Sequence, residues 1–302
     1  MGIHWLLIFL WTSCSAVQTH QVWLGKNAAR KGFEERTLEI GDHRIHHWVG
    51  GQGPPVLLLH GFGGDGLITW WQQARALSKT HRVIIPDLLW FGGSDSNAPP
   101  SLDAQAEAMG ALVEELVASG QPIDVVGISY GGFVALRYGS LEPQRQGRLV
   151  LMDSPGPHFG DQDEARLLEH FGVEHVEEIF VPTDTTQVRT LIGLAYHKPP
   201  PLPDFVLADL KERVFSAHQN EQRALLADLK EGRERYRSAP LAEYAESLVI
   251  WGQHDVVFPL SIGRTLAKEM DAEFFVVEQA GHAPHMDRPG IVRRKLQSFL
   301  SP

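Results

Sequence analysis

The chain has a single cysteine, Cys14, so it can form no internal disulfide, no C-x-x-C redox pair and no cysteine-based zinc site. It also lacks a basic tract or arginine-rich helix. Lys and Arg number 27 against 37 Asp and Glu, a formal net charge of −10, so no nucleic-acid partner is expected. No apolar run approaches the ~20 residues that span a bilayer, and there are no internal repeats or low-complexity stretches. What remains is ordinary globular composition, 43% hydrophobic and 21% charged, which excludes disorder. At 302 residues the chain suits one medium-sized enzyme domain carrying an insertion better than a small binding module.

Charge is also missing at the start, where no acidic or basic side chain precedes Lys26. Ile3 to Trp11 is almost wholly apolar, and Ser13, Cys14, Ser15 and Ala16 follow it. Residues 1–16 therefore fit a secretory signal, with Cys14 and Ala16 approximating a small-x-small cleavage site. The segment also resembles a bacterial lipoprotein signal with Cys14 as the lipidated residue, although Trp11 stands where leucine is usual. Leu6 occupies the position where myristoylation needs Ser or Thr. The expectation is export (periplasmic, secreted or lipid-anchored), with membrane association through this segment. Nothing in the sequence reports an oligomeric state.

From Thr37 onward, short apolar runs alternate with amphipathic segments. Val56–Leu59, Val83–Ile85, Ile123–Val126, Leu149–Met152, Leu248–Ile250 and Phe274–Val277 are continuous enough for parallel strands buried on both faces. Leu102, Ala106, Met109, Val113 and Leu116 recur at helical spacing, and 262–270 and 291–300 behave alike. Alternating strands and helices predict an α/β fold with a mostly parallel sheet. Thr37–Ile40 and Arg44–Val49 alternate in polarity and predict an antiparallel hairpin at the sheet edge. The rhythm breaks from 157 to 240, which carries helical patterns, no buried strand and the stiff elbow Pro199-Pro200-Pro201-Leu202-Pro203. The expected organisation is a core of 17–156 and 241–302 roofed by a helical insertion, 157–240.

The most informative run is Val125-Val126-Gly127-Ile128-Ser129-Tyr130-Gly131-Gly132. A buried strand ends, a serine follows between glycines, and a helical pattern begins. A turn serine that merely caps a helix could share the G-x-S-x-G letters. The strand-turn-helix context instead fits a nucleophile held on a strained turn, its hydroxyl pushed into the cleft above the sheet. Serine needs a base and an orienting acid. Asp255 lies just past the Leu248–Ile250 strand and His282 just past the last strand. Both strand ends should open on the same edge as Ser129, and the order Ser129, Asp255, His282 is the one this kind of fold uses.

His60-Gly61-Phe62-Gly63-Gly64, Pro86-Asp87 through Ser94, GISYG, WGQHD and GHAPHMDRP together resemble the successive landmarks of the α/β-hydrolase superfamily. The likeness covers nearly all of the chain after residue 35 and lies nearest the esterase- and lipase-like hydrolases, close to the branch that cleaves carbon–carbon bonds in ring-cleavage products. It implies an α/β-hydrolase fold with a mostly parallel eight-stranded sheet, flanking helices and a helical cap. It further implies an oxyanion hole made by the backbone N–H groups of Phe62 and Tyr130, with His60 bracing the glycine-rich loop. Trp90 departs from the superfamily pattern by standing where a glycine is usual.

Other residues compete for roles. Asp153 occupies the other place where such hydrolases sometimes keep the orienting acid, and Asp255 is preferred. His282, His285 and Asp287 mimic a metal set, but no H-E-x-x-H motif or cysteine supports one. His43, His46 and His47 are expected on the surface, and Asp124 is expected to be structural. A serine at the elbow excludes the aspartate-nucleophile dehalogenases and epoxide hydrolases. The expectation is a serine hydrolase for small-molecule esters of small to medium apolar acids, needing no cofactor and no metal. Phe62, Trp90, Tyr130 and the insertion should wall its pocket. The alternatives are carbon–carbon hydrolysis of a vinylogous diketone, with Arg166, Arg189 or Arg213 meeting the substrate carboxylate, and a ligand receptor that kept the fold.

Overall fold

A computed structural model describes residues 15–238 and 244–301. The elements run α1 (Ala16–Arg30), β1 (Phe33–Ile40), β2 (His43–Gly50), β3 (Pro55–Leu59), α2 (Gly66–Leu77), β4 (Arg82–Pro86), β5 (Asp95–Ser96), α3 (Leu102–Leu116), β6 (Ile123–Ile128), α4 (Tyr130–Leu141) and β7 (Gln146–Met152). The helices α5 (Asp161–Phe171), α6 (Glu177–Phe180), α7 (Thr185–Ala195), α8 (Asp204–Arg213), α9 (Gln219–Glu231) and α10 (Arg233–Ser238) follow. The chain then returns through β8 (Ser247–Gly252), α11 (Leu260–Glu269), β9 (Glu273–Val277), α12 (Pro284–Asp287) and α13 (Pro289–Phe299).

The sheet is open and ordered β1-β2-β4-β3-β6-β7-β8-β9, with β5 paired to β2. Among the described residues it therefore has nine strands, one more than expected. The ninth is the two-residue β5, whose Asp95 and Ser96 pair with Arg44 and His43 and are too few to leave a hydrophobic pattern. β1 and β2 form the antiparallel edge hairpin, β2 also pairs antiparallel with β4 and β5, and β3, β4, β6, β7, β8 and β9 pair in parallel. Because side chains alternate along a strand, Leu57, Leu59, Val125, Leu149, Leu151 and Val249 enter one core, on the side of α3 and α4. Val56, Leu58, Val126, Val150, Leu248 and Ile250 enter the other, against α1, α2 and α13. β9 is an edge strand in which only Val277 is buried; its apolar run suggests burial on both faces, but among the described residues no strand pairs with its outer edge.

All described residues between β7 and β8 are turns and helices. The Pro199–Pro203 elbow joins α7 to α8, with Pro203 at the N-cap of α8. Buried Leu167, Leu191 and Leu225 join the sheet's own core on the α3 and α4 side, and polar bonds add to them. The Gln222 amide donates to the Trp90 carbonyl at 2.9 Å, and Asp228 accepts the Leu102 N–H at 2.7 Å. The expected seam at 240/241 and residues 1–14 of the N-terminal segment lie outside the described residues. The start of α1 is docked on α8, where Asp209 accepts the Ser15 hydroxyl at 2.5 Å and the Val17 N–H at 2.9 Å. Among the described residues no helix is long and apolar enough to cross a membrane.

Candidate active site

The C-terminal ends of β6, β8 and β9 bring Ser129, Asp255 and His282 together. Ser129 sits between β6 and α4 with φ 51° and ψ −118°, a left-handed conformation that costs a serine on the order of 1 kcal/mol or more. Tight packing enforces it. A Cβ on Gly127 would lie 2.4 Å from the Gly131 carbonyl oxygen, and one on Gly131 would lie 2.4 Å from that of Leu59. Only glycine lets strand and helix approach so closely. The Ser129 N–H is anchored to the Met152 carbonyl at 2.9 Å.

His282 Nε2 lies 2.9 Å from Ser129 Oγ, and its Nδ1 lies 3.0 Å from Asp255 Oδ2. In the tautomer that donates Nδ1–H to Asp255, Nε2 accepts the serine hydroxyl. Asp255 Oδ1 also accepts the N–H groups of Val257 at 2.8 Å and Phe258 at 3.1 Å. The acid is therefore fixed by backbone as well as by the histidine. Its side chain is fully buried, and Ser129 and His282 are nearly so. This arrangement can pass a proton from a serine hydroxyl to an imidazole held in one orientation.

The loop after β3 presses on the serine, since a Cβ on Gly61 would lie 3.2 Å from Ser129 Cβ. His60 is fully buried, and desolvation holds its pKa below the ordinary value. As a neutral ring it donates Nδ1–H to the Gly61 carbonyl at 2.8 Å and accepts the Leu88 N–H on Nε2 at 2.9 Å. Phe62 follows Gly61, and Tyr130 opens α4 directly after the serine. Their rings meet edge to face, 5.4 Å apart.

An apolar cavity of about 150 Å³ lies between α4 and the helices α5, α9 and α10. Phe133, Leu136, Leu167, Val176, Leu226 and Leu229 line it, and its polar groups include Glu164 with its partners Lys230 and Arg233, together with Arg137 and Arg237. Its wall also includes Phe180, which faces Phe62 at 6.2 Å, and Phe258, which packs against His282 at 5.3 Å. The cavity thus adjoins the triad through aromatic side chains. None of Phe62, Trp90 and Tyr130, expected to wall the pocket, borders this cavity; Trp90 and Tyr130 are buried among core side chains, and Phe62 reaches it only through Phe180. Trp90 adopts φ 64°, which explains why a glycine is usual there, and its ring is 1% exposed. Phe258 and Arg137 were missed; the only sequence signal is that Phe258 follows Asp255 by three residues.

The remaining candidates turn elsewhere. Arg189 pairs with Asp204 and Arg213 with Asp209, both exposed, while Arg166 reaches the Val257 carbonyl at 3.5 Å. His285 packs on Trp70 with ring centroids 5.0 Å apart, and burial drives its pKa down to about 3. Asp287 accepts the Gly281 and His197 N–H groups, so neither residue joins His282 as a ligand set. The edge-hairpin histidines depart from the surface expectation. His47 is 2% exposed, and His46 bridges Asp87 at 2.8 Å and Glu35 at 3.0 Å. Burial opposes a charge on His46, but the hydrogen bonds and charges of Asp87 and Glu35 outweigh it and raise its pKa to about 9. Asp124 is bound by Arg148 through side chain and backbone.

Residues 54–289 match the model of the family described as alpha/beta hydrolase fold, and the chain belongs to that family. It is similar to Lipase 1 of Psychrobacter immobilis, 28% identical, with 87% of this chain and 82% of that protein covered. It is also 31% identical to the 2-hydroxymuconate semialdehyde hydrolase of Pseudomonas putida, covering 88% and 94% of the two chains. Among solved structures it superposes on a bacterial membrane phospholipase A with a TM-score of 0.75 at 24% identity, covering 97% and 96%. That last likeness speaks for the fold alone. Relatives of lipase and semialdehyde-hydrolase type make this protein a hydrolase.

Proposed function

We propose that this hydrolase cleaves carboxylic esters of small to medium apolar acids through an acyl-enzyme. The observation that carries the reading is the buried chain of hydrogen bonds from Ser129 Oγ through His282 to Asp255, beside an apolar cavity. Ser129 attacks the ester carbonyl as His282 takes its proton. Asp255 holds the imidazole and stabilises its charged form. The N–H groups of Phe62 and Tyr130 receive the developing oxyanion, where one such donor contributes about 3 kcal/mol to the transition state. His282 then protonates the leaving alcohol and activates the water that releases the acid. A mainly apolar cavity near 150 Å³ is large enough to hold a benzene-sized group, which supports the limit to small or medium acids.

Carbon–carbon hydrolysis is the second reading, favoured by the 31% identity to a semialdehyde hydrolase and by three arginines at the cavity. Both readings use Ser129. The test is turnover of p-nitrophenyl esters from acetate to palmitate and of a vinylogous diketone, by wild type and by Ser129→Ala. Short and medium esters should be cleaved best, with kcat/KM falling by about 10⁴-fold or more in Ser129→Ala. Cleavage of the diketone alone would transfer the assignment to the second reading.

A further inference from the structure

A second carboxyl group lies in the site, and the mechanism does not use it. Asp153 follows β7 with φ 42° and is fully buried. Its N–H donates to the Ile250 carbonyl at 3.0 Å, and its Oδ1 accepts the Gly252 N–H at 2.8 Å. These bonds lock it to the strand that delivers Asp255. Its Oδ2 is buried and has no hydrogen-bond partner among the described residues. One carboxyl oxygen of Asp153, one of Asp255 and one ring nitrogen of His282 all lie within 4.8 Å of one another.

Two buried carboxylates this close cannot both keep their charge. The donors decide which one does. Asp255 receives two backbone N–H groups and the imidazole, whereas Asp153 receives one backbone N–H. The charge therefore belongs on Asp255 and the proton on Asp153. Burial first, then repulsion from Asp255 and the side-chain contact with it, and last a smaller repulsion from Asp287, hold the Asp153 carboxyl well above the usual carboxylate range, against the Gly252 N–H that lowers it.

We propose that Asp153 and Asp255 form one unit holding a single negative charge and a single proton beside His282, and that Asp153 is a positioning residue that takes over the charge when Asp255 cannot carry it. The proposal rests on the Ser129–His282–Asp255 reading. In Asp255→Asn the repulsion disappears, Asp153 releases its proton to solvent, and the imidazole again faces a carboxylate. That carboxylate remains desolvated, so it forms only above the usual carboxylate range.

The test compares kcat/KM for p-nitrophenyl butyrate between pH 5 and 10 in wild type, Asp153→Asn, Asp255→Asn and the double variant, with Ser129→Ala alongside. Asp153→Asn keeps the acceptor for Gly252 and places an amide donor where the carboxyl proton was. It should cost only about threefold. Asp255→Asn should lose on the order of 10²-fold, with its acid limb moved to higher pH. The double variant should lose about 10⁴-fold, with that limb gone. If the double variant fails to fold, as read by its thermal midpoint, Asp153→Ser replaces Asp153→Asn in it. Asp255→Asn matching the double variant at every pH would overturn the proposal, as would a full 10⁴-fold loss in Asp153→Asn alone. Either result with Ser129→Ala inactive sinks only this inference, whereas an active Ser129→Ala sinks the serine-hydrolase reading itself.

Discussion

The sheet and the inserted helices solve different problems with different chemistry. Around Ser129 the core is so close that glycines at 127 and 131 are imposed by backbone atoms. The side chains of Ser129, His282 and Asp255 there are almost wholly buried. The insertion shares the apolar core through Leu167, Leu191 and Leu225, but polar links also hold it. Glu164, for example, binds Lys230 at 2.7 Å and Arg233 at 2.6 Å across α5, α9 and α10. Tight packing transmits any added atom as strain, so the core fixes geometry. Flexible ion-paired side chains yield more easily, so the insertion can set which substrate fits. The comparison predicts that core changes act on folding and rate, and insertion changes on selectivity.

The largest effect on stability should come from Gly131→Ala, whose new Cβ would lie within 2.5 Å of the Leu59 and His60 carbonyl oxygens. A loss of about 3 kcal/mol, measured by urea unfolding, is expected. A loss under about 0.5 kcal/mol would mean that the elbow is looser than described.

The core's edge supplies a comparable effect through pH. A histidine whose folded pKa is raised to about 9 gives stability that is complete below its unfolded value near 6.5 and lost as pH rises through about 9. Wild type should lose up to roughly 3 kcal/mol between those limits. His46→Gln should show a flatter curve, and equal slopes would remove the His46–Asp87 link from the account.

The smallest stability effect should come from the insertion. Leu229→Phe fills part of the cavity and should change stability by less than about 1.5 kcal/mol. It should raise KM about tenfold or more for the longest accepted ester while sparing the shortest. An equal fall in kcat for all esters would place Leu229 in the machinery of the reaction, against the division drawn here.

The same division governs what could be read in the sequence. The convergence of Ser129, Asp255 and His282 was legible because each follows an apolar strand, and parallel strands open their C-terminal ends on one edge. The fold class followed from the same alternation. Trp90 was not legible, because its left-handed backbone and its placement under Gln222 depend on residues 132 positions apart. His46 was misplaced on the surface because its partner, Asp87, lies 41 residues away across the edge hairpin. The cavity residues Arg137 and Phe258 come from elements that meet only once the insertion is seated. β5 is too short for a period to register.

The most direct check of the central claim is peptide mass spectrometry of the enzyme quenched during the burst with a slowly deacylating p-nitrophenyl ester. The account predicts one acyl group, on the peptide containing Ser129, and none on Ser129→Ala. An acyl group on any other residue, or turnover with no covalent adduct at all, would contradict it.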